Sequence, residues 1–340
     1  MDRSLNICYT DTSIHNTDDY CSEATRNQTM SVESEAGEMM SRCASCGIAG
    51  GDDVELKRCN GCYLVRYCSV KCQKEHRPKH KKYCKKRAAE LRDELLFKQP
   101  ENSCYGDCPI CLIPLPLDLS KSIIMTCCSK MICDGCNFAN RKREIEMRLE
   151  KTCPFCRQPP PKTDEEGERM KMKRVEANDP DALTYVGTQH REKGDDKSAV
   201  EYWTKAAELG DIVAHYQLSC MYGLGEGVEK DEKKERYYLE HAAIGGHPQA
   251  RHSLGVLEWA NCRFDRAINH WIIAANLGDD NSMKRVKNIY QGGCGFISKD
   301  DFASTLRAHH AAVNAMKSPQ RKAAADMESR GYFVIPQRDS

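Results

Sequence analysis

The spacing of the cysteines in the first half of the chain limits its fold more than any other sequence feature. Two successive arrays of eight residues carry metal-ligand side chains, mostly as Cys-x-x-Cys pairs, and together they use fifteen of the 21 cysteines. Such thiolate-rich spacing is a specific signal for structural zinc and predicts four ions. The first array is Cys43, Cys46, Cys59, Cys62, Cys68, Cys72, His80 and Cys84, and the second is Cys108, Cys111, Cys127, Cys128, Cys133, Cys136, Cys153 and Cys156.

Composition favours a reducing compartment for these thiols. The N-terminal sequence lacks a basic region followed by an apolar stretch, so we expect no secretory signal. No run approaches the roughly 18 to 20 apolar residues that a membrane helix needs. Reduced thiols favour metal ligation over disulfides, and the formal net charge of +1 indicates no general polyanion partner. We therefore expect a cytoplasmic or nuclear protein without a membrane partner.

The chain is predicted to be multidomain. Two small zinc-stapled cross-brace modules, of irregular or α+β structure, precede an all-α repeat solenoid, and the N-terminus has too few large apolar side chains to fold. The predicted segments are a disordered N-terminus (1–41), a first zinc module (42–84), a helix and linker (85–107), a second zinc module (108–157), a Pro-rich spacer and helix (158–180), the repeats (181–317) and a C-terminal tail (318–340).

The region 181–317 repeats a helical pattern. Repeat starts at Ala182, Ala214, Ala250 and Ser282 are spaced by 32, 36 and 32 residues. This period predicts a solenoid of helix–turn–helix units rather than an unrelated bundle. The units resemble the Sel-one-like subfamily of tetratricopeptide-type repeats, which implies a surface that binds a protein or peptide. Trp203, Tyr237 and Trp271 are expected to fill the gaps between repeats.

The first array joins three cysteine pairs to a final His–Cys pair. His80 and Cys84 lie four residues apart and therefore on one face of a helix. His76 is a competing ligand, since it has the same spacing from Cys72 and from His80; we favour His80. We expect the pairs to interleave, with the first and third pairs on one zinc and the second and fourth on the other.

Residues 42–84 resemble a MYND-type zinc finger, in which Tyr67–Ser69 and Cys72–Lys74 also match the pattern. The resemblance implies a peptide-binding finger, although Arg77 stands where the family often has Trp, which weakens the groove for proline-containing peptides. It assigns zinc 1 to Cys43, Cys46, Cys68 and Cys72, and zinc 2 to Cys59, Cys62, His80 and Cys84.

A basic cluster runs from Lys79 to Arg87. It is typical of a nuclear-localisation signal or of a nucleic-acid contact. A solvated helix face beside an anionic thiolate site explains it equally simply, and we favour that interpretation. We therefore do not expect a nucleic-acid partner.

The second array resembles a RING finger over residues 108–157. Lys130 stands where the pattern usually has His, and a protonated amine is a poor ligand. The adjacent Cys127 is the obvious replacement, in the turn of a small predicted hairpin. Neither zinc would keep an open coordination position, so zinc-hydroxide catalysis is not expected. We assign zinc 3 to Cys108, Cys111, Cys133 and Cys136, and zinc 4 to Cys127, Cys128, Cys153 and Cys156.

The RING resemblance implies a ubiquitin ligase that contacts a ubiquitin-conjugating enzyme through Ile110, Pro154 and Arg157. The solenoid would recruit a protein substrate on its concave face, and no covalent intermediate would form on this chain. The alternative is a non-catalytic scaffold whose modules all bind proteins; we lean towards the ligase. A MYND-associated methyltransferase is disfavoured, because no segment reads as its catalytic domain.

Overall fold

The structure is a computed structural model that describes residues 42–51, 53–293 and 295–330. The segment predicted to be disordered, residues 1–41, lies outside the described residues, as does the end of the predicted tail, residues 331–340. In the part of the chain that is described, no helix is both long enough and apolar enough to cross a membrane.

The described residues up to Lys98 form one compact unit, and those from Gln99 onward form another. In the first unit, strands β1 (Lys57–Arg58) and β2 (Arg66–Tyr67) pair antiparallel ahead of the long helix α1 (Val70–Leu96). The helix of the first zinc module and the helix predicted after residue 84 are therefore one continuous element.

The second unit opens with a hairpin that carries part of the second array. Strands β3 (Ser122–Met125) and β4 (Lys130–Cys133) pair antiparallel and lead directly into helix α2 (Asp134–Glu146). The turn between the strands ends at Ser129, whose backbone is left-handed at φ +55°. The module has a small core, consisting of Cys108, Leu115, Ile132 and Cys133. With so little apolar surface, this module depends on its metal sites.

Helix α3 (Asp164–Glu176) precedes four helix–turn–helix pairs. The four pairs confirm the predicted solenoid, and each helix packs against its pair partner and its sequence neighbour. The pairs are α4 (Pro180–Glu192) with α5 (Asp196–Glu208), α6 (Ile212–Leu224) with α7 (Glu232–Ile244), α8 (Pro248–Ala260) with α9 (Phe264–Asn276), and α10 (Asp280–Gln291) with α11 (Lys299–Ala315).

The first helix of each pair begins with a side-chain cap at the same repeat position. Asp179, Asp211 and Asp279 accept hydrogen bonds from backbone N–H groups in the first turn. His247 takes this place in the third pair, where its Nδ1 accepts from the Ala250 N–H at 3.3 Å. Capping side chains satisfy donors that the helix itself cannot. The caps therefore mark the beginning of each repeat.

Two tryptophans join the helices of the first and third pairs. Trp203 and Trp271 are almost completely buried, and each indole N–H donates to a backbone carbonyl of the partner helix at 3.2 Å. The rings lie against Gly187 and Gly255, where an added Cβ would come within 3.0 Å of the indole. Glycine is therefore required at these two positions for the helices to approach.

Tyr237 was expected to play the same part in the second pair, and this expectation is wrong. Its side chain is 51% exposed, while Leu239 is fully buried. The loop between α6 and α7 is longer than the loop between α4 and α5. The longer loop shifts the register, so the buried position falls two residues after Tyr237.

The residues just before the second array pack on the repeat domain. The Cys104 N–H donates to the Gly246 carbonyl at 3.0 Å. Tyr105 then lies in a chain of hydrogen bonds: its hydroxyl contacts His247 Nε2 and donates to Gln249 Oε1, both at 3.3 Å. Burial lowers the pKa of His247 to about 3, so the imidazole is neutral and can cap α8 with one nitrogen while it donates to Tyr105 with the other. The second half of the predicted 85–107 linker is thus part of the folded unit.

We expect Gly255→Ala to destabilise the repeat domain by about 1–3 kcal/mol, since the new methyl group overlaps the Trp271 indole. Gly292→Ala is the control, because its φ is −67° and its nearest neighbours lie at 3.5 Å. Thermal unfolding of the zinc-loaded chain, followed by circular dichroism, compares the two. Equal midpoints for both variants would contradict the close packing inferred at Gly255.

Candidate metal centres

The structure brings the sixteen ligand side chains together in four groups of four. Within each group, the candidate ligand atoms all lie within 4.8 Å of one another. The fifteen cysteines are all free thiols. The membership of each group is the one assigned from the sequence: Cys43, Cys46, Cys68 and Cys72; Cys59, Cys62, His80 and Cys84; Cys108, Cys111, Cys133 and Cys136; Cys127, Cys128, Cys153 and Cys156.

The distances within the groups suit tetrahedral zinc. Thiolates bound at about 2.3 Å to a tetrahedral zinc lie roughly 3.8 Å apart. Neighbouring sulfurs are separated by 3.5 Å for Cys46–Cys68, 3.7 Å for Cys59–Cys84 and 3.9 Å for Cys111–Cys133. Soft thiolates with one imidazole form the donor set that zinc prefers. The residues therefore fit a zinc ion in every group, and each ion would have a closed set of four protein ligands.

Four Cys-x-x-Cys turns share one backbone design. In each, the N–H of the residue after the second cysteine donates to the carbonyl of the first cysteine, at 2.8–2.9 Å. That donor residue is always left-handed, with φ between +56° and +75°. This bend directs two sulfurs to one side of the turn. The donor residues are Gly47, Tyr63, Leu112 and Arg157.

The histidine whose ring lies in the second group is His80, the one favoured from the sequence, and not His76. His80 Nε2 lies 3.3 Å from Cys62 Sγ. Burial, together with the neighbouring His76, lowers the pKa of His80 and favours the neutral imidazole that a metal requires. His76 instead stacks on His80 at 5.6 Å, and its Nδ1 shares a hydrogen bond with the Tyr67 hydroxyl at 3.0 Å. Burial and nearby thiolates raise the pKa of Tyr67 to about 12, so the hydroxyl stays protonated.

The thiols within one group have very different pKa values. Burial raises the pKa of Cys43, but hydrogen bonds from backbone N–H groups outweigh burial and lower it to about 6. The Cys68 thiol instead donates to the sulfurs of Cys46, Cys43 and Cys72, which raises its pKa to about 12. Zinc must therefore displace protons, and its affinity should fall as pH falls.

Cys127 and Cys128 occupy the hairpin turn between β3 and β4. Their sulfurs lie 3.4 Å from Cys156 Sγ and 4.0 Å from Cys153 Sγ, respectively. Lys130 is exposed at the start of β4 and is not part of the group. The bend at Ser129 lets two adjacent cysteines face one site. The structure thus brings the Cys127 sulfur together with those of Cys128, Cys153 and Cys156.

Two arginines from outside the array contact its zinc loops, and sequence reasoning missed both. Arg174 on α3 donates to the Cys127 carbonyl at 3.1 Å. Arg321 lies on helix α12 (Pro319–Ser329), in the segment predicted to be a tail without a role. Its guanidinium donates to the carbonyls of Ile113 at 3.1 Å and Pro114 at 2.7 Å, and reaches Cys111 Sγ at 3.8 Å.

A glycine makes the approach of α12 possible. Helix α12 packs against α2, and an added Cβ at Gly135 would lie 2.6 Å from the Arg321 backbone nitrogen. Gly135 lies between the ligands Cys133 and Cys136, so α12 packs directly against the zinc 3 loop. The sequence signal was available only as an unexplained Asp-Gly pair inside a Cys-x-x-Cys motif.

The three predicted enzyme-contact residues lie on the second module. Ile110 is 40% exposed, Pro154 is partly buried and Arg157 is exposed. The Arg157 side chain makes no hydrogen bond or ion pair with any residue that the structure describes. Leu112 and Phe155, 75% and 43% exposed, add apolar surface to the same two zinc loops.

Comparisons with known proteins agree with two of the three modules. The sequence matches the MYND finger family over residues 43–84 and the Sel1 repeat family over 180–211, 212–247 and 264–279. The chain carries a MYND finger and Sel1 repeats. This combination of a zinc finger and Sel1 repeats is consistent with a scaffold for protein–protein interaction.

Two solved structures are similar to the chain. A Sel1 repeat protein from Oxalobacter formigenes is 21% identical with a TM-score of 0.38, covering 52% of this chain and 51% of that one. A protective antigen present in uropathogenic Escherichia coli strains, displaying an SLR fold, is 21% identical with a TM-score of 0.35, covering 49% of this chain and 36% of that one. The chain thus spans about half of the first protein and about a third of the second. No curated protein matches.

We expect Cys127→Ser to lower the zinc content from four ions per chain to three, because it removes one thiolate from the fourth group. Cys262→Ser, at an exposed free thiol outside the four groups, should keep all four ions. Elemental analysis of the purified chain measures both. A Cys127→Ser chain that retains four ions would show that the Cys127 thiolate is not needed to bind the fourth ion.

Arg321→Ala should accelerate zinc loss to a chelator, since three groups of the zinc 3 loop lose a charged hydrogen-bond donor. Such bonds contribute about 1.5–3 kcal/mol each. Lys322→Ala, at the exposed neighbouring position, is the matched control. A colorimetric zinc-release assay on the full chain follows the rate. Identical rates for the two variants would mean that α12 does not support the site.

Proposed function

We propose that this protein is a ubiquitin ligase, in which the second zinc module positions a ubiquitin-conjugating enzyme and the Sel1 repeats recruit the protein to be modified. The observation that supports this most directly is the free guanidinium of Arg157. It is exposed on a zinc loop and makes no hydrogen bond or ion pair with any described residue, beside the exposed apolar side chain of Phe155. An arginine so placed can donate to two partners at once.

The proposed role of the chain is positioning rather than covalent chemistry. The amine of a substrate lysine attacks the thioester that joins ubiquitin to the cysteine of the conjugating enzyme. An isopeptide bond forms, the thioester breaks, the thiolate leaves and the amine gives its proton to solvent. Ile110 and Pro154 would provide an apolar docking surface. Arg157 would hydrogen-bond across the enzyme and ubiquitin, which holds the thioester in a reactive geometry.

Contacts between the second module and the repeats are consistent with this division of labour. The Tyr105 hydroxyl, just before the module, contacts His247 of the repeat domain. Arg174, on helix α3 just before the repeats, donates to the Cys127 carbonyl in the zinc 4 loop. A substrate held on the repeats would therefore keep a defined position relative to the enzyme. A peptide on the MYND finger and a cytoplasmic or nuclear location remain predictions.

A non-catalytic scaffold is the second candidate. The matched families are binding modules, and Lys130 with the crowded Cys127–Cys128 pair departs from the usual RING pattern. In this case the exposed loops would bind a partner protein without transferring ubiquitin.

In-vitro ubiquitination with a panel of conjugating enzymes separates the two candidates. We expect the wild-type chain to form ubiquitin conjugates and Arg157→Ala to lose at least about tenfold in rate, equivalent to 1.4 kcal/mol of transition-state positioning. Arg148→Ala is a closely matched control, since Arg148 is also exposed and left-handed, at φ +53° against +61° for Arg157. It should leave the rate unchanged. Absence of conjugates and of enzyme binding across the panel would reject the ligase and leave the scaffold.

A further inference from the structure

Five lysines form a stripe along one side of helix α1. At 100° per residue, Lys71, Lys74, Lys81, Lys82 and Lys85 fall within an arc of about 100°, and the stripe is about 21 Å long. The ligands Cys72, His80 and Cys84 lie about 110–150° away from its centre. All five lysines are exposed. The zinc site therefore fixes one face of the helix and leaves the opposite face to these positive charges.

The lysines of the stripe form no ion pairs with the described residues. None of the five lysines has a carboxylate within 4.0 Å among the described residues; farther along α1, the ammonium group of Lys86 lies 3.9 Å from Glu90. Glu75 is the one acidic residue between Val70 and Ala89. Lys71 and Lys74 lie at the N-terminal end of α1, where the helix dipole disfavours positive charge, and no acidic residue lies in the first turn. An anionic partner would therefore gain from this row of unpaired lysines.

We propose that the lysine stripe of α1 binds the phosphate backbone of a nucleic-acid duplex, without reading its base sequence. An α-helix of 10–12 Å diameter fits beside or within a groove about 12 Å wide. Lysine ammonium groups bind phosphates as point charges and release counterions. The sequence alone favours a solvated helix face beside an anionic thiolate site. The structure places Lys71 and Lys74 in line with Lys81, Lys82 and Lys85, on the side of α1 that faces away from the zinc ligands.

Other anionic partners fit this surface less well. A membrane surface needs an apolar face on the helix, and here the face opposite the lysines holds the zinc ligands. Single-stranded nucleic acid needs aromatic rings on which bases stack, and the arc contains none. A protein partner needs buried apolar anchors, and Pro78 is the one apolar side chain between the lysines. Phosphate binding needs charge alone.

The test is fluorescence anisotropy of the full, zinc-loaded chain with a labelled DNA duplex and with an RNA duplex of the same sequence. If the stripe contacts four or five phosphates, the logarithm of the affinity should fall with the logarithm of the salt concentration with a slope of about −4. The triple variant Lys74→Gln, Lys81→Gln and Lys85→Gln should reduce that slope to about −1 to −2 and weaken binding at low salt by more than tenfold.

Two further variants make the test decisive. Lys233→Gln, Lys284→Gln and Lys287→Gln remove the same charge from exposed positions of the repeat domain and should leave binding unchanged. Lys74→Arg, Lys81→Arg and Lys85→Arg keep the charge and should retain binding, while a zinc content of four per chain shows that each variant is folded. Three outcomes would overturn the proposal. They are an equal loss of duplex binding in the stripe variant and the repeat-domain variant, an affinity for poly-glutamate equal to that for the duplexes, and no duplex binding by the wild-type chain. None of these outcomes bears on the ligase.

Discussion

Coordination of interleaved ligand pairs is the interaction on which both small modules depend. In each group, two pairs separated along the chain meet at one site, so that closing the site also fixes the loops between them. The buried core of the first module consists largely of the ligands themselves, with Val65 and Tyr67 beside them. Structural zinc contributes on the order of 10 kcal/mol per site in small modules, which is the contribution that a core of this size lacks.

The metal-ligand groups and the repeats depend on residues that are close together in the sequence or regularly spaced along it, and this is why the sequence predicts them well. Cys-x-x-Cys, His80 with Cys84 and the 32- or 36-residue period are all short-range patterns. Arg321 could not be predicted, because its partners at Ile113 and Pro114 lie 208 and 207 residues earlier in the chain. The burial of Tyr237 was wrongly predicted for a different reason: the longer loop of the second pair moves the buried position to Leu239.

His247 shows how one substitution within a repeat creates a specific contact. The equivalent caps are aspartates, which can only accept hydrogen bonds when ionised. A neutral imidazole accepts with Nδ1 and donates with Nε2, and Tyr105 is positioned by that second function. Stacking on Tyr216 at 4.2 Å holds the ring in place. The otherwise regular solenoid thus carries one distinguishable position, where the residues leading into the second zinc module attach.

The position of Arg321 has a consequence for the order in which the protein matures on the ribosome. All eight ligands of the second array are synthesised by residue 156, but the guanidinium that holds the zinc 3 loop is added 165 residues later. At roughly 5–20 residues per second, that delay is on the order of ten to thirty seconds. During this interval the nascent module has its metal ligands but not its external support. Its loops become fully supported only when almost the whole chain has been translated.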